Sequence, residues 1–241
     1  QEQQYSFPYH YIPEFRFFFS QTQSWSWSKE YISAIEFILD NIKDNGSRIK
    51  SICDVGCGDG RITSELSIEF PDKIITGIDY SEKAIRIANA INPNIEFLNY
   101  NIIEQKIDRK FDAITLIEVF EHIPIELCHQ FIKALNELLN VNGYIFLTVP
   151  HKNKPLNEKH FQHFTYNTLQ NYFKDDYIIE EVTYIQKRSI ILKMLGIIML
   201  NKNFTITNKI INNWYYKLYK KKYLLGTKSN CGRIFMKLRK K

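Results

Sequence analysis

From Lys50 onward the chain alternates two patterns of apolar residues. Short runs rich in Ile, Val and Phe predict strands over 51–55, 74–78, 95–98, 111–117 and 143–149. Between them, apolar residues recur at helical spacing over 60–69, 82–91, 126–139 and 161–173. Strands separated by helices imply a parallel sheet covered on both faces. A further strand is predicted over 177–186 and a last one over 232–238. Between those two lies an extra segment with two amphipathic helices, over 190–200 and 206–225. Ahead of the alternation, Ser28 reads as the N-cap of a helix through Ile42, with Ile32, Ile35, Ile38, Leu39 and Ile42 on one face and Asn45-Gly46 as its stop. Residues 1–28 are aromatic and irregular, with Tyr5, Phe7, Tyr9, Tyr11, Trp25 and Trp27 among the rings. So much ring surface is expected to dock as an arm or lid. No internal repeat is visible.

Composition narrows the class. The 241 residues are 44% hydrophobic and 15% aromatic, which excludes disorder as the main state, and 9 Gly with 7 Pro exclude collagen-like or low-complexity chains. No apolar run approaches a membrane span; the best, 190–200, is broken by Lys193. The four cysteines form neither a disulfide framework nor paired metal knuckles, so reduced thiols and a cytoplasmic setting are expected. The chain starts at Gln1, read as the loss of an initiator Met or a longer N-terminus, and the start carries no signal-peptide pattern. The net charge of +6 conceals a split. After Glu181 there are 15 Lys and Arg and no acid, while the first 181 residues hold 17 basic groups and all 26 acids, a balance of −9.

The chemistry is concentrated at residues 52–60, Ile-Cys-Asp-Val-Gly-Cys-Gly-Asp-Gly. A strand ends in Asp54, and Gly56, Gly58 and Gly60 make a tight turn where a Cβ would block close approach of backbone to ligand. Asp79 ends the second strand, where an acid can accept both ribose hydroxyls of an adenosine. Asn101 follows the third strand, where an amide can pair with an adenine edge. The GxGxG spacing and the lack of a second nucleotide-binding half disfavour a nicotinamide enzyme.

Taken in order, residues 54–60, Asp79, Phe111-Asp112, Glu118-Val-Phe-Glu-His122 and Asn142-Gly143-Tyr144 resemble the successive motifs of the class I S-adenosylmethionine (SAM)-dependent methyltransferases. The resemblance covers residues 50–173. It implies a Rossmann-like seven-stranded, mostly parallel sheet with helices on both faces and the last strand antiparallel. It further implies SAM as cofactor, with Asp54, Gly56, Cys57, Gly58 and Gly60 toward its methionine part. Asp79 is then expected at the ribose, Tyr80 and Ile102 beside the adenine, and Glu118 on the cofactor side. Asn101 stands where the family commonly has Asp.

Glu118, Glu121 and His122 follow the fourth strand, at a spacing that puts all three on one face of a helix start. His160 and His163 come shortly after the fifth strand, on the same sheet edge. Two carboxylates with one or two imidazoles suit a divalent metal, so Glu118, Glu121, His122 and His160 are candidate ligands. This set resembles the metal-using methyltransferases of ubiquinone synthesis and of small-RNA 3′-terminal ribose. His122 and His163 are alternatively candidate general bases for an acceptor hydroxyl, as in related enzymes with no known metal.

The reading is a SAM-dependent methyltransferase acting on a small or glycan-like acceptor at a hydroxyl oxygen. The alternatives are a metal-dependent small-RNA 2′-O-methyltransferase and, of another class, a SAM-binding partner subunit without turnover. The expected organisation is an aromatic arm and helix over 1–45, a SAM-binding core over 46–186, a basic helical insertion over 187–228, and the last strand with a basic tail over 229–241. Lysines interleaved with Trp214, Tyr215, Tyr216 and Tyr219 suit an anionic membrane, RNA or a phosphate- or lipid-linked acceptor. The apolar 190–200 stretch favours a lipid-linked acceptor or peripheral contact at the inner membrane face through 188–222 over nucleic acid, and a lid packed on the domain is the other alternative.

Overall fold

The computed structural model describes residues 7–20, 28–44, 48–201 and 203–241. The rings of Tyr5, Trp25 and Trp27 and the Asn45-Gly46 stop lie outside the described residues. Seven strands form one sheet: β1 (Ser51–Val55), β2 (Ile74–Asp79), β3 (Glu96–Asn99), β4 (Phe111–Ile117), β5 (Leu139–Pro150), β6 (Tyr177–Lys187) and β7 (Cys231–Lys240). Their order across the sheet is β3-β2-β1-β4-β5-β7-β6. The pairs from β3 to β5 are parallel, and β7 runs antiparallel between β5 and β6. This is the sheet that the resemblance implied. The strand order reverses between β1 and β4, and in open α/β sheets ligands bind beyond the carboxyl ends of the strands at such a point.

Among the described residues, seven α-helices flank the sheet: α1 (Ser28–Lys43), α2 (Arg61–Glu69), α3 (Glu82–Ile91), α4 (Cys128–Leu138), α5 (Tyr166–Phe173), α6 (Ile190–Met199) and α7 (Lys209–Tyr223). Because side chains alternate along a strand, each central strand feeds two cores. In β5, Ile145, Leu147 and Val149 pack with Phe131, Leu135, Leu169 and Phe173 of α4 and α5. Tyr144 and Phe146 face the opposite core, made by Ile35, Ile38 and Leu39 of α1 with Tyr215, Tyr216 and Tyr219 of α7.

Three boundaries differ from the hydrophobic pattern. The predicted helix over 161–173 begins only at Tyr166, capped by the Thr165–Thr168 capping box. Residues before it are held extended, because Phe161 N–H donates to the Glu121 carbonyl and Phe164 N–H to the Pro150 carbonyl. Strand β5 starts at Leu139, earlier than 143, by pairing Leu139 with Phe111. Helix α7 starts at Lys209, because the Asn208 side chain accepts from the amides of Ile210 and Ile211. All four cysteines are buried and unbridged. Among the described residues no helix is long and apolar enough to cross a membrane.

Candidate cofactor and acceptor site

The turn after β1 forms because its amides find partners on β2: Gly56 and Cys57 both donate to the Ile78 carbonyl, at 2.7 and 3.0 Å. Gly56, Gly58 and Gly60 all have positive φ. A Cβ on Gly56 would lie 2.4 Å from Val119 Cγ2, so the backbone there approaches the post-β4 loop as closely as a glycine permits. Asp79 is locked from both sides, with Oδ2 accepting from Gly58 N–H at 2.9 Å and Oδ1 from Ser81 N–H at 2.8 Å. Asn99 steadies the same corner by donating to the carbonyls of Asp79 and Tyr80.

The turn and Asp79 form one end of a cavity of about 930 Å³ at the carboxyl edge of the sheet, whereas Gly60 lies behind it, packed against Phe97 and Ala88. Gly56, Cys57, Gly58, Asp79, Tyr80, Asn101, Ile102 and Glu118 all line it. Asn101 spends its carbonyl oxygen on the Ile103 amide at 3.1 Å, which shapes its own loop. Asp54 sits elsewhere. It is buried behind the turn, accepting from the hydroxyls of Thr63 at 2.7 Å and Thr115 at 2.8 Å, and so ties β1 to α2 and β4 rather than facing the cavity. Cys57 lines the cavity while its sulfur packs among Ile85, Ala88 and Phe97.

The opposite wall holds Glu121, His122, His160 and His163. Glu118 and Glu121 do not share a helix face, because Glu118 has φ +56 and the turn that follows, Phe120–His122, is a short 3-10 helix. Glu118 points to β7 and β5: Arg233 Nε lies 2.7 Å from its Oε2, and the Thr148 hydroxyl donates to its Oε1. Glu121, His122 and His160 do converge, with one ligand atom from each within 4.8 Å of the others. Glu121 is fully buried, and among the described residues neither of its oxygens has a hydrogen-bond partner. The imidazoles form an ordered chain. His163 Nδ1–H donates to the Lys154 carbonyl at 3.1 Å, so its Nε2 accepts from His160 Nδ1–H at 2.7 Å. That leaves His160 Nε2 as an acceptor, 3.3 Å from the Asn157 amide nitrogen. His122 Nδ1–H donates to the Lys159 carbonyl at 2.8 Å, which leaves its Nε2 as the ring's acceptor.

A family model described as a methyltransferase domain matches residues 24–186. The chain belongs to the methyltransferase-domain family. Together with the sheet, this makes it a class I SAM-dependent methyltransferase domain. It is 35% identical over 121 residues to the ubiquinone biosynthesis O-methyltransferase of Glaesserella parasuis, covering 45% of this chain and 48% of that protein. It is 33% identical over 85 residues to a putative methyltransferase, 235L, of Invertebrate iridescent virus 6, covering 35% of this chain and 31% of that one. The chain thus spans about half or less of the length of these relatives. In structure it is similar to the N-methyltransferase NodS from Bradyrhizobium japonicum WM9 in complex with S-adenosylhomocysteine, at TM-score 0.61 and 14% identity over 87% of each chain. It is also similar to TehB from Haemophilus influenzae, at TM-score 0.58 and 21% identity over 86% of this chain and 62% of that one. At these identities the likeness is one of fold.

The two acids of the methyltransferase's post-β4 loop are driven apart electrostatically. Burial works against charge on Glu118, but the Arg233 and Lys154 cations outweigh it and hold the carboxyl below its ordinary range. Burial pushes the Glu121 carboxyl well above its ordinary range, and the charge of Glu118 adds to the effect. Burial, helped by His122 and His163, lowers His160 to about 4, and burial lowers His122. Both rings are neutral at pH 7.

Four further lining residues were not given a role by the sequence. Tyr31, Asp59, Lys154 and Arg233 all line the cavity. Asp59 was inside the quoted glycine motif, and only its partner reveals its place: His10 Nδ1 lies 2.9 Å from its Oδ1. Tyr9 and His10 come from the aromatic arm, which Arg61 anchors by donating to the carbonyls of His10 and Pro13, at 2.8 and 3.0 Å. Arg233 and Glu118 meet only because β7 inserts beside β5, which no local signal announces.

Proposed function

We propose that this domain moves the methyl group of SAM to a hydroxyl oxygen of a small or glycan-like acceptor, seated between the arm residues Tyr9 and His10 and the wall of Glu121, His122 and His160. The observation that carries the reading is Glu121: a fully buried carboxyl with no hydrogen-bond partner among the described residues, beside imidazoles that burial keeps neutral. Such a group is costly to bury unless something in the cavity completes it.

The residues fit the cofactor. A Cβ at Gly56 would close the cradle, Asp79 is held with both oxygens oriented, and Asp59 Oδ2 is buried without a partner among the described residues, which suits a ligand carrying positive charge. Asp79 would hold the ribose, Tyr80, Asn101 and Ile102 the adenine, and the glycine turn the methionine part. When bound, SAM supplies an electrophilic methyl carbon. The chain's part is to place the acceptor oxygen in line, about 3 Å away, and to exclude water. The arm that Arg61 pins over the cavity is positioned for that exclusion.

Activation of the hydroxyl falls to the opposite wall. Glu121, His122 and His160 would hold a divalent cation; the donor set of one carboxylate and two imidazoles suits Mn²⁺, Fe²⁺ or Zn²⁺. Bound there, a cation would lower the pKa of the acceptor hydroxyl. With no cation, His122 Nε2 is the atom that takes the proton, while the Lys159 carbonyl fixes its tautomer. His163 acts through His160 as a positioning residue. The ubiquinone biosynthesis relatives are O-methyltransferases, which supports oxygen as the acceptor atom.

The test is transfer from methyl-labelled SAM to a panel of phenols, vicinal diols, nucleotide sugars and a 3′-ended small RNA, with and without a chelator. Transfer to a hydroxyl, reduced about 100-fold by His122→Ala with S-adenosylhomocysteine affinity retained, supports the proposal. Chelator sensitivity reversed by Mn²⁺ assigns the wall to a cation. Methylation at nitrogen, or full turnover in the variant, would overturn it.

A further inference from the structure

Helix α6 is amphipathic in the inverted sense. Leu192 and Met199 turn inward, whereas Ile190, Ile191, Met194, Ile197 and Ile198 are all more than half exposed, at 80, 62, 61, 55 and 58%. At 100° per residue those five occupy one face of the helix. Helix α7 continues the same theme along a single ridge: Ile210 and Trp214, exposed at 78 and 58%, are followed at helical spacing by the exposed Lys217 and Lys221. The inner side of α7 is occupied in a different way, with Tyr215, Tyr216 and Tyr219 buried in the core beneath α1. An apolar patch of this extent has a function in most soluble domains. The charge around it restricts what it meets, since no acid follows Glu181 and 15 cations do.

We propose that the outer face of α6 and α7 docks on an anionic membrane surface, with the isoleucines and Trp214 entering the headgroup boundary and the α7 lysines meeting lipid phosphates. An interfacial helix has this signature: an apolar face beside Lys, with Trp at the polar edge, and no length sufficient to span. The absence of acids argues for an anionic partner, and the breadth of the aliphatic face argues for lipid over a polyanion such as RNA, which offers no apolar phase. The location also fits. Strand β6 runs parallel to β5, so α6 leaves the sheet at the carboxyl edge where the cavity lies, and Arg188, just ahead of α6, donates to the Asn153 carbonyl beside the cavity residue Lys154. The proposal stands independently of which atom the domain methylates.

The experiment is co-sedimentation of the full chain with vesicles of phosphatidylcholine alone or mixed with phosphatidylglycerol, for wild type, Ile197→Glu/Trp214→Glu and Lys217→Glu/Lys221→Glu. Both pairs lie outside the cavity, so retained S-adenosylhomocysteine binding shows that each variant is folded. The expected result is retention on the anionic vesicles only, reduced about tenfold or more by either double substitution, with salt weakening the wild type in part. Equal retention of wild type and Ile197→Glu/Trp214→Glu would overturn the proposal, as would no retention of the folded wild type. It would also be overturned if Ile197→Glu/Trp214→Glu instead abolished a dimer seen in sedimentation velocity, or if the wild type bound small RNA and not vesicles.

Discussion

Asp54 holds an acid where water cannot reach it. Burial raises it from 3.8 to about 6, against two hydroxyl hydrogen bonds that favour the charge. Between those values the folded chain keeps a proton that the unfolded chain has lost, so this residue lowers stability as pH rises from about 4 to 6. A shift of that size corresponds to roughly 3 kcal/mol. Asn at the same position can accept from one threonine and donate to the other. Asp54→Asn is therefore expected to flatten the pH dependence of the urea midpoint across that window and to raise stability at pH 8. An unchanged slope would show that Asp54 is not the group responsible. Gly56 poses a steric question. With φ +75 and Val119 Cγ2 only 2.4 Å from a prospective Cβ, Gly56→Ala must move the turn. The expected outcome is a loss of about 1–3 kcal/mol in stability and a weaker S-adenosylhomocysteine complex, both visible in thermal shifts with and without the ligand.

Among the elements, the aromatic arm is the one whose placement depends most on a single side chain. Arg61 donates to two arm carbonyls, pairs with Glu65 at 3.0 Å, and lies over the Tyr11 and Phe15 rings. Arg61→Ala should free the arm at a cost of about 2 kcal/mol, read as faster limited proteolysis within residues 7–20 and a faster off-rate for S-adenosylhomocysteine. Helix α7 is tied to the arm by the stack of Tyr216 on Phe19, 4.5 Å between ring centroids, and to α1 by the hydrogen bond from the Tyr216 hydroxyl to Glu36. Tyr216→Ala should destabilise the domain by about 3 kcal/mol, whereas Trp214→Ala on the outer face should change it little; chemical unfolding of the two variants separates these cases. The elements themselves were legible in the chain because strand and helix periods are local, and so was the glycine turn with Asp79. What was not legible depends on distant pairing. The 161–165 stretch carries a helical apolar pattern, yet hydrogen bonds to Glu121 and Pro150 keep it extended and thereby bring His160 to His122. Glu118 looked equivalent to Glu121 by spacing, and only the positive φ and the distant Arg233 send it elsewhere.

At the scale of the molecule, the two halves of the charge split meet different tasks. The acidic body carries Asp59, Asp79 and Glu118 at the cavity, where a cationic cofactor is favoured. The basic quarter supplies Arg233 to that cavity from β7, ties Lys237 to Glu180 and Lys240 to the carbonyls of Asn136 and Leu139, and presents Lys217 and Lys221 outward on α7. On the proposed function the cavity divides in two: the β1–β2 edge for the cofactor and the Glu121–His122–His160 wall for the acceptor. Calorimetric titration of S-adenosylhomocysteine into wild type, Asp79→Ala and Glu121→Gln tests this division most directly. It predicts one site in the wild type, a loss of about 100-fold or more in Asp79→Ala, and near-wild-type affinity in Glu121→Gln. Equal weakening by both substitutions, or undiminished binding in Asp79→Ala, would contradict it.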